Sequence, residues 1–374
     1  MRIELPDDRI RLDGVTDVES SPGRVVPHRL DRRFAHQFPI EVSFMEGMPS
    51  GVRLVVDTDA DTVGVECTPV RLVMGEDERR ATFDVVVDGE RTASVDAHFG
   101  HVVTVDIEHA DVDFTSGERG VVDLPLGDGG RMRTVEIWLP QAAGLELHAL
   151  TVPDGAEVVA SPPSTRPRWV HHGSSISHCM EADGPSRTWP AVASASTGYD
   201  LHNIGLAGQC HLDQFTARTI RDLPADRISL KLGINVVNAD SMTERTFTSA
   251  VHGFLDTVRE GHPDTPLLVI SPIHCPSVED LPGPTVLGDD GRVDTDGTEA
   301  DLLLGRLSLT RIRRILHDVV EARRGFGDLA LHHLDGLELF GPDDADHLGD
   351  GLHPDADGYV LIGERFARHG FLDD

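Results

Sequence analysis

The sequence contains almost no lysine. Of its 33 Lys and Arg residues only Lys231 is a lysine, while Asp and Glu number 64, so the formal net charge is −31. A surface this acidic repels nucleic-acid phosphates and anionic lipids, so we expect neither nucleic acid nor a membrane as a partner. The composition fits adaptation to high salt, where ions screen self-repulsion, and equally a GC-rich genome that favours arginine and aspartate codons.

Long apolar segments and paired cysteines are also lacking. No run of 18 apolar residues occurs, and the start, MRIELPDDRIRLDG, has no apolar signal-peptide core, so we expect a cytoplasmic protein. The four cysteines (Cys67, Cys179, Cys210 and Cys275) form no CxxC pair, which favours reduced thiols over a disulfide or zinc framework. A chain of 374 residues is too long for one ordinary core and predicts two domains.

The first domain is predicted to be all β. Between Val52 and Leu139, short runs alternate apolar and polar residues, as in VRLVVDTD, ATFDVVVDGERTASV, HVVTVDIEHADVDF and RMRTVEIWLP. Alternation of this kind, with Asp88-Gly89 between two runs, indicates antiparallel hairpins. We therefore predict a jelly-roll-like β-sandwich over residues 1–160, followed by a proline-rich linker, SPPSTRPR, at 161–168.

Residues 169–374 show the pattern of an α/β domain. The predicted strands are RWVHH, YDLHNIG, DRISLKLG, PLLVISP and LALHHLDG, with helical segments between them. One helix is marked by an apolar face of Phe247, Val251, Phe254, Leu255 and Val258, and Ser241 and Glu244 before it have the spacing of a capping box. This alternation predicts a parallel sheet covered on both faces, with the site at the carboxyl ends of its strands.

A long polar segment interrupts this domain at residues 279–301, EDLPGPTVLGDDGRVDTDGTEAD. Segments of this kind serve as active-site lids or as plain surface excursions. The sequence leaves both interpretations open.

A run of serines follows the first strand of the α/β domain, in WVHHGSSISHC at 169–179. Gly173 indicates a tight turn, and a serine at the start of the next helix is suited to act as a nucleophile. Serine is also a preferred helix cap, so Ser174, Ser175 or Ser177 could have only that role.

Near the carboxyl terminus, DGLHPDADGY places Asp350 three residues before His353. On a loop, this spacing lets the carboxylate reach one imidazole nitrogen while the other faces a serine, as a Ser-His-Asp mechanism requires. An ordinary Asp-Gly turn before a proline would have the same sequence.

Together these blocks resemble the SGNH hydrolases, the GDSL esterase and lipase family. The resemblance places the nucleophile at Ser175 in Gly173-Ser174-Ser175, and the base and its orienting carboxylate at His353 and Asp350. It also implies a flavodoxin-like three-layer α/β/α domain. Four family blocks occur in order across the second half of the chain. The arrangement of an N-terminal β-sandwich before such a domain is similar to that of a subset of these enzymes, which act on acylated sugars or transfer acyl groups.

The resemblance further implies an oxyanion hole and no metal or other cofactor. Its donors would be the amide of Ser175, the amide of Gly208 in NIGLAGQ and the side chain of Asn235 in Gly-Ile-Asn, with Gly205 as an alternative to Gly208. One departure is Ser174, where the family usually has aspartate. Because that aspartate carries no proton in the reaction, we expect the chemistry to survive.

Other site types fit the sequence less well. An α/β-hydrolase would need glycine at Ser177, and the calcium-loop-like DTDAD at 57–61 lacks the glycine and glutamate of such a loop. The pairs His171-His172 and His332-His333 would point to opposite faces of their strands. The leading hypothesis is a serine esterase or acyltransferase for a small-molecule or carbohydrate ester, and the alternative is a non-catalytic glycan-binding protein with a degenerate hydrolase scaffold.

Overall fold

The computed structural model describes residues 1–75, 77–106, 109, 111–369 and 371. The chain divides into two compact units: Met1–Thr165 with Asp183–Ser186, and Arg166–Ala182 with Arg187–Asp374. The short segment that the second half contributes to the first unit has no signal in the sequence. Within the described ranges, every helix is too short or too polar to cross a membrane.

The described residues of the first unit form strands and one α-helix, α1 (Ile40–Glu46). Its strands are β1 (Arg2–Glu4), β2 (Arg11–Asp13), β3 (Asp17–Ser21), β4 (Arg24–His28), β5 (Arg53–Thr58), β6 (Thr62–Met74), β7 (Asp77–Glu78), β8 (Ala81–Val87), β9 (Glu90–Ala97), β10 (His101–Asp106), β11 (Asp111–Thr115), β12 (Gly120–Pro125), β13 (Arg133–Trp138), β14 (Ala143–Thr151) and β15 (Val158–Val159). They form a nine-stranded sheet, with β11-β10-β6-β14-β4-β3 as its path, and a six-stranded sheet, with β15-β5-β13-β8-β9 as its path.

Apolar side chains from both sheets of the first unit share one core. Val56, Phe83 and Ile137 from the six-stranded sheet lie in the same buried cluster as Val65 and Leu147 from the nine-stranded sheet. Two sheets that bury their inner faces against each other form a sandwich. The predicted β-sandwich is therefore confirmed.

The hairpin of β8 and β9 confirms the interpretation of its turn. Asp88 and Gly89 join the two antiparallel strands and have φ values of 51° and 88°. A two-residue type I′ turn requires left-handed φ at both positions, which Asp-Gly tolerates.

Strand β6 gives the nine-stranded sheet a parallel pair that the hairpin pattern does not predict. β12 pairs antiparallel with β6 only as far as Cys67, and β10 then pairs parallel with it from Val70 onward. Because β6 is longer than β12, its remaining backbone groups need a second partner, which β10 supplies.

The second unit has a five-stranded parallel sheet. Its strands are β16 (Arg168–Gly173), β17 (Asp200–Gly205), β18 (Arg227–Lys231), β19 (Leu267–Ile270) and β22 (Leu331–Leu334), and a separate hairpin consists of β20 (Thr285–Leu287) and β21 (Val293–Thr295). The helices are α2 (Ser175–His178), α3 (Trp189–Thr197), α4 (Gln214–Asp222), α5 (Ile234–Asn238), α6 (Glu244–Gly261), α7 (Glu299–Leu302), α8 (Leu309–Gly325) and α9 (Ala356–His369). The order β17-β16-β18-β19-β22 is the flavodoxin-like order 2-1-3-4-5, so the predicted α/β class is confirmed.

Helices cover both faces of this sheet. The ring of His171 lies 4.6 Å from that of Trp189 in α3, whereas the next residue, His172, stacks on Phe254 of α6 at 5.9 Å. Successive strand residues point to opposite faces, so α3 and α6 lie on opposite sides of the sheet.

Helix α6 has the predicted buried face but a different cap. It begins at Glu244 with Thr243 as the N-cap, and the Thr243 amide donates to Thr246 Oγ1 at 2.9 Å. The predicted box of Ser241 and Glu244 is therefore wrong by two residues. A second capping-type sequence, Thr243 to Thr246, lies inside the same stretch and takes the role.

Candidate active site

The turn after β16 fixes the geometry of the first serine, Ser174. Ser174 is fully buried and is the N-cap of α2, since its Oγ accepts a hydrogen bond from the Ile176 amide at 3.3 Å. A side chain at Gly173 would collide with Ser177 Oγ, so only glycine lets the strand pass this close to the helix. Aspartate caps helices as serine does, and Ser174 therefore meets the local need at the position where the family usually has aspartate.

Ser177 belongs to a buried hydrogen-bond chain under α2. Its Oγ lies 2.8 Å from His171 Nε2, while His171 Nδ1 lies 2.7 Å from Ser229 Oγ, to which Trp169 Nε1 donates at 2.9 Å. Burial lowers the pKa of His171 well below its usual value, so the ring is neutral. Ser177 is thus part of the fold and is inaccessible to a substrate.

Ser175 is the partly exposed serine of the three, and it meets His353. Its Oγ lies 2.9 Å from His353 Nε2, although the two residues are 178 positions apart in the sequence. On the other side of the ring, His353 Nδ1 lies 2.6 Å from Asp350 Oδ2. The structure therefore brings Ser175, His353 and Asp350 together in one chain of hydrogen bonds.

Asp350 binds the backbone of its own loop as well as the imidazole. Its Oδ1 accepts hydrogen bonds from the amides of Leu352 at 2.8 Å and His353 at 2.7 Å. Burial raises the pKa of this carboxyl group, but the hydrogen bonds from the His353 side chain and these amides outweigh burial and hold the pKa well below its usual value. The carboxylate is therefore charged at neutral pH. Because Asp350 lies three residues before His353, its side chain holds both the backbone of this loop and the His353 ring in place.

Asn235 lies at the start of α5, after a glycine that the packing requires. Gly233 has φ 117°, and a side chain there would collide with Ile312. The Asn235 side chain is 4% exposed, and its Oδ1 accepts a hydrogen bond from the Cys210 amide at 3.0 Å. Gly233, and not Asn235, occupies the N-cap position of α5. The oxygen end of the Asn235 amide is thus engaged in the fold, while no described residue accepts a hydrogen bond from its Nδ2.

Of the two glycines that could supply an oxyanion amide, Gly208 fits better. The Gly205 amide donates to Asn203 Oδ1 at 2.9 Å, and a side chain at Gly205 would collide with the backbone of Ser177. Gly208 has φ 71° in a turn that is closed by a hydrogen bond from Gln209 N to Leu206 O at 3.1 Å. Among the described residues, no partner occupies the Gly208 amide.

The role of Cys210 was not predicted from the sequence. Its amide orients Asn235, and its Sγ lies 3.4 Å from His172 Nε2. His172 Nδ1 in turn lies 2.7 Å from Ile204 O, which makes Nδ1 the protonated nitrogen and Nε2 the acceptor. Cys210 directly follows the NIGLAGQ block, but nothing in a sequence links it to a residue 25 positions away.

Within the part of the chain that the structure describes, no group of three or more His, Cys, Asp or Glu side chains is arranged to hold a metal ion. The acidic stretch at 57–61 instead binds its own neighbours. Thr134 Oγ1 donates to Asp57 at 2.8 Å, and the Glu157 amide donates to Asp59 at 2.7 Å.

Comparison with known proteins gives a family match for part of the chain. Residues 167–278 match the GDSL-like lipase/acylhydrolase family. This match covers the strand, the serine turn and the Gly-Ile-Asn block, and it confirms the resemblance to SGNH hydrolases. Residues 167–278 are therefore similar to GDSL-like lipases and acylhydrolases, and the comparisons support an enzyme that cleaves or transfers acyl groups.

Solved structures of this class resemble the chain along nearly its whole length. The salicylyl-acyltransferase SsfX3 from a tetracycline biosynthetic pathway is 28% identical, with a TM-score of 0.81 over 98% of this chain and 96% of that one. A Bacteroides ovatus protein described as a GDSL-like lipase is 19% identical, with a TM-score of 0.71 over 98% and 96% of the two chains. A family two carbohydrate esterase from Clostridium thermocellum shares the fold at 13% identity and a TM-score of 0.59, over 92% and 97%. No curated protein has a significantly similar sequence.

Proposed function

We propose that the protein is a serine-dependent esterase or acyltransferase in which Ser175 is the nucleophile. The observation that carries this proposal is the distance of 2.9 Å between Ser175 Oγ and His353 Nε2. A neutral imidazole at hydrogen-bond distance from a serine hydroxyl is the arrangement that general-base activation needs.

In the first half of the reaction, Ser175 Oγ attacks the carbonyl carbon of the acyl ester. His353 Nε2 takes the hydroxyl proton, and the resulting imidazolium is stabilised by the Asp350 carboxylate at Nδ1, 2.6 Å away. The tetrahedral intermediate then collapses as His353 gives the proton to the departing alcohol oxygen. The products are a free alcohol and an acyl group bound to Ser175.

The developing oxyanion requires donors that are already in place. We assign these to the amides of Ser175 and Gly208 and to Nδ2 of Asn235. The hydrogen bond from Cys210 N to Asn235 Oδ1 supports this assignment, because it fixes which end of the Asn235 amide is the oxygen and leaves the amino end as the donor. One such donor contributes about 3 kcal/mol of transition-state stabilisation.

In the second half, His353 removes a proton from the acceptor that attacks the acyl-serine, and it returns the proton to Ser175 Oγ as the bond between the acyl group and Ser175 breaks. Water as the acceptor gives hydrolysis, and an alcohol gives acyl transfer. The arrangement of Ser175, His353 and Asp350 supports both reactions, since the acceptor differs and the catalytic groups do not.

We infer that the substrate is a small-molecule acyl ester. This rests on the relative with the higher identity, 28%, which is a salicylyl-acyltransferase, whereas the carbohydrate esterase shares only the fold at 13%. A carbohydrate ester is the second substrate class to test, because the fold is common to both.

The test is inactivation by an organophosphate or a sulfonyl fluoride, followed by peptide mapping of the adduct. We expect one adduct, at Ser175, and loss of p-nitrophenyl acetate hydrolysis in proportion to labelling. Ser175→Ala should show neither. An adduct at Ser174 or Ser177, or full hydrolysis by Ser175→Ala, would contradict the assignment.

The p-nitrophenyl acetate assay also distinguishes acyl transfer from hydrolysis. Adding a small alcohol to the p-nitrophenyl acetate reaction produces its acetate ester if the acyl-serine is intercepted. Release of free acetate alone, at all alcohol concentrations, indicates an esterase. Comparing a phenolic acetate with an acetylated xylose then ranks the two substrate classes.

A further inference from the structure

The loop that carries Asp350 and His353 is closed at its base. The Asp355 amide donates to His347 O at 2.8 Å, and Leu348 and Pro354 form an isolated antiparallel bridge. A base of this kind fixes where the loop begins and ends, but the direction of its tip depends on further contacts.

Those contacts come from the hairpin of β20 and β21. The Val293 amide donates to Asp350 O at 2.7 Å, and Arg292 Nη2 donates to Leu348 O at 3.0 Å. Gly351 is packed against the same strand, since a Cβ there would lie 3.4 Å from Val293 O. The tip of the loop therefore lies directly on the hairpin.

The other end of the hairpin lies on α5, the helix that carries Asn235. A side chain at Gly283 would collide with Val237 O, so this segment and α5 are in direct backbone contact. Thr295 Oγ1 also donates to Pro282 O at 2.5 Å and lies 3.1 Å from Pro284 O. These bonds tie β21 back to the chain that touches α5.

We propose that the segment 282–295 is a fixed strut that sets the distance between the Asp350–His353 loop and α5, with Arg292 and the Val293 amide as positioning groups. This inference rests on the proposed function of Ser175, His353 and Asp350. The sequence leaves a lid or a surface excursion open for this region, and the contacts assign it a third role. The strut contacts the loop of His353 at one end and the helix of Asn235 at the other.

The Val293 amide can be removed with little change to the hairpin. Val293 N–H points to Asp350 O and away from the hairpin partner, so the hairpin hydrogen bond from Gly288 N to Arg292 O remains in Val293→Pro. Val293→Ala shortens the side chain but keeps the N–H, and is the matched control. The proline Cδ would also press on Asp350 O, which lies 2.7 Å from the amide nitrogen, so the variant both removes the hydrogen bond and displaces the loop. We expect Val293→Pro to lower kcat for p-nitrophenyl acetate by about tenfold or more, with KM within about twofold.

Arg292 gives an independent test. Arg292→Ala should lower kcat about threefold to tenfold, and Arg292→Lys should restore part of it by donating to Leu348 O. Arg314→Ala is the control, because Arg314 is an exposed arginine of α8 that pairs with Glu244. In Val293→Pro and Arg292→Ala, the low-field proton resonance of the His353–Asp350 hydrogen bond should shift or broaden, which a purely structural role would not cause.

Three outcomes decide the proposal. Lower kcat with an altered low-field resonance supports it. Wild-type kcat in folded Val293→Pro and Arg292→Ala overturns it, and so does a raised KM at unchanged kcat, which indicates a substrate-binding lid. If Val293→Pro does not fold, the Arg292 variants decide alone. Parallel assay of Ser175→Ala separates failure of the strut proposal from failure of the proposed function, since an active Ser175→Ala refutes the proposed function itself.

Discussion

At the scale of single residues, Asp350 shows how one carboxylate determines the state of a neighbouring ring. Its two oxygens are divided, Oδ1 to the amides of Leu352 and His353 and Oδ2 to His353 Nδ1. Only a group with two acceptor oxygens satisfies all three donors. Nδ1 of His353 must therefore carry the proton, which leaves Nε2 to accept the proton of Ser175.

Asp350→Asn should move the proton of His353 from Nδ1 to Nε2. The asparagine oxygen would accept the two amides, and its amino group would face Nδ1, which must then become an acceptor. Nε2 would carry the proton and could not act as a base, so we expect kcat to fall about 10³-fold to 10⁴-fold with KM little changed. Steady-state kinetics with p-nitrophenyl acetate tests this, and a loss below tenfold would contradict the role of Asp350.

The pKa of Asp350 also links it to stability. Because its folded pKa is held below the unfolded value, Asp350 stabilises the fold above the usual aspartate range, and this contribution is lost as the pH falls through the folded pKa. Asp350→Asn should therefore lower stability at pH 7 and have little effect in strong acid. Urea unfolding at the two pH values measures the difference.

Asn235→Asp separates an oxyanion donor from a structural asparagine. The carboxylate still accepts the hydrogen bond of the Cys210 amide, but it offers no donor and brings negative charge to the oxyanion. We expect kcat to fall about 100-fold or more. Asn235 is 4% exposed, so the buried charge should also reduce stability.

Asn235→Ala controls for the buried charge, since it removes the donor without adding one. It should lose a similar factor in kcat at unchanged KM. An Asn235→Ala variant that keeps most of its activity would show that the side chain serves the fold alone.

Lys231 is the one lysine of the chain and is 1% exposed at the end of β18. Burial lowers its pKa to about 8. Below pH 8 the ammonium is charged in both folded and unfolded states and burial makes it destabilising. As the pH rises from about 8 towards the unfolded value of 10.5, the folded protein loses the proton first and this cost disappears.

We therefore expect Lys231→Met to be more stable than wild type at pH 7 by on the order of 2 kcal/mol, and the gain to vanish near pH 10. Lys231→Arg, which keeps its charge at both pH values, should be destabilised throughout. Urea unfolding at pH 7 and pH 10 measures both variants. A less stable Lys231→Met at pH 7 would mean that the ammonium makes a favourable interaction in the fold.

At the scale of elements, the hydrogen bond between Ser177 and His171 ties α2 to β16. Ser177→Ala would leave the buried His171 Nε2 without its partner, so we expect a loss of about 1 to 3 kcal/mol in stability. Ser174→Ala should cost about 1 kcal/mol through the helix cap. Both should retain measurable turnover, whereas Ser175→Ala should be stable and inactive. Urea unfolding and p-nitrophenyl acetate assays of the three variants check the division of roles, which an inactive but stable Ser177→Ala would contradict.

The elements that follow a local period were predictable from the sequence, and those that depend on distant contacts were not. The five strands of the parallel sheet and the apolar face of α6 follow their expected patterns. Strand β6 does not, because Gly64 and Pro69 are unfavourable in a central strand. Gly64 is required there because a side chain would collide with Thr151, and Pro69 lies between the end of the β12 pairing and the start of the β10 pairing, where a missing N–H breaks no ladder bond.

In the candidate site too, contacts between residues close in the sequence were predictable and contacts between distant residues were not. Asp350 and His353 lie three residues apart, so their contact was predictable from spacing. Cys210, Arg292 and Val293 act through backbone groups or on backbone carbonyls, and a residue's type carries no information on which carbonyl it will meet. Only the fold shows that the polar segment before α7 lies on the loop of His353.

At the scale of the whole molecule, the net charge of −31 should make stability depend on salt. Like charges repel in the compact state more than in the unfolded chain, and salt at 1 M screens them beyond about 3 Å. Ion pairs such as Arg221 with Asp222 and Glu260 lose some attraction in salt, but exposed pairs contribute little, so the relief of repulsion should dominate. We expect the Tm to rise between low salt and 1 M KCl, with activity held or increased.

KCl is the appropriate salt, because sulfate stabilises proteins in general through exclusion from the surface. An equal concentration of sucrose, which screens no charge, is the control. A Tm that falls steadily with added KCl would show that attractive pairs outweigh the repulsion and would remove the argument for adaptation to salt.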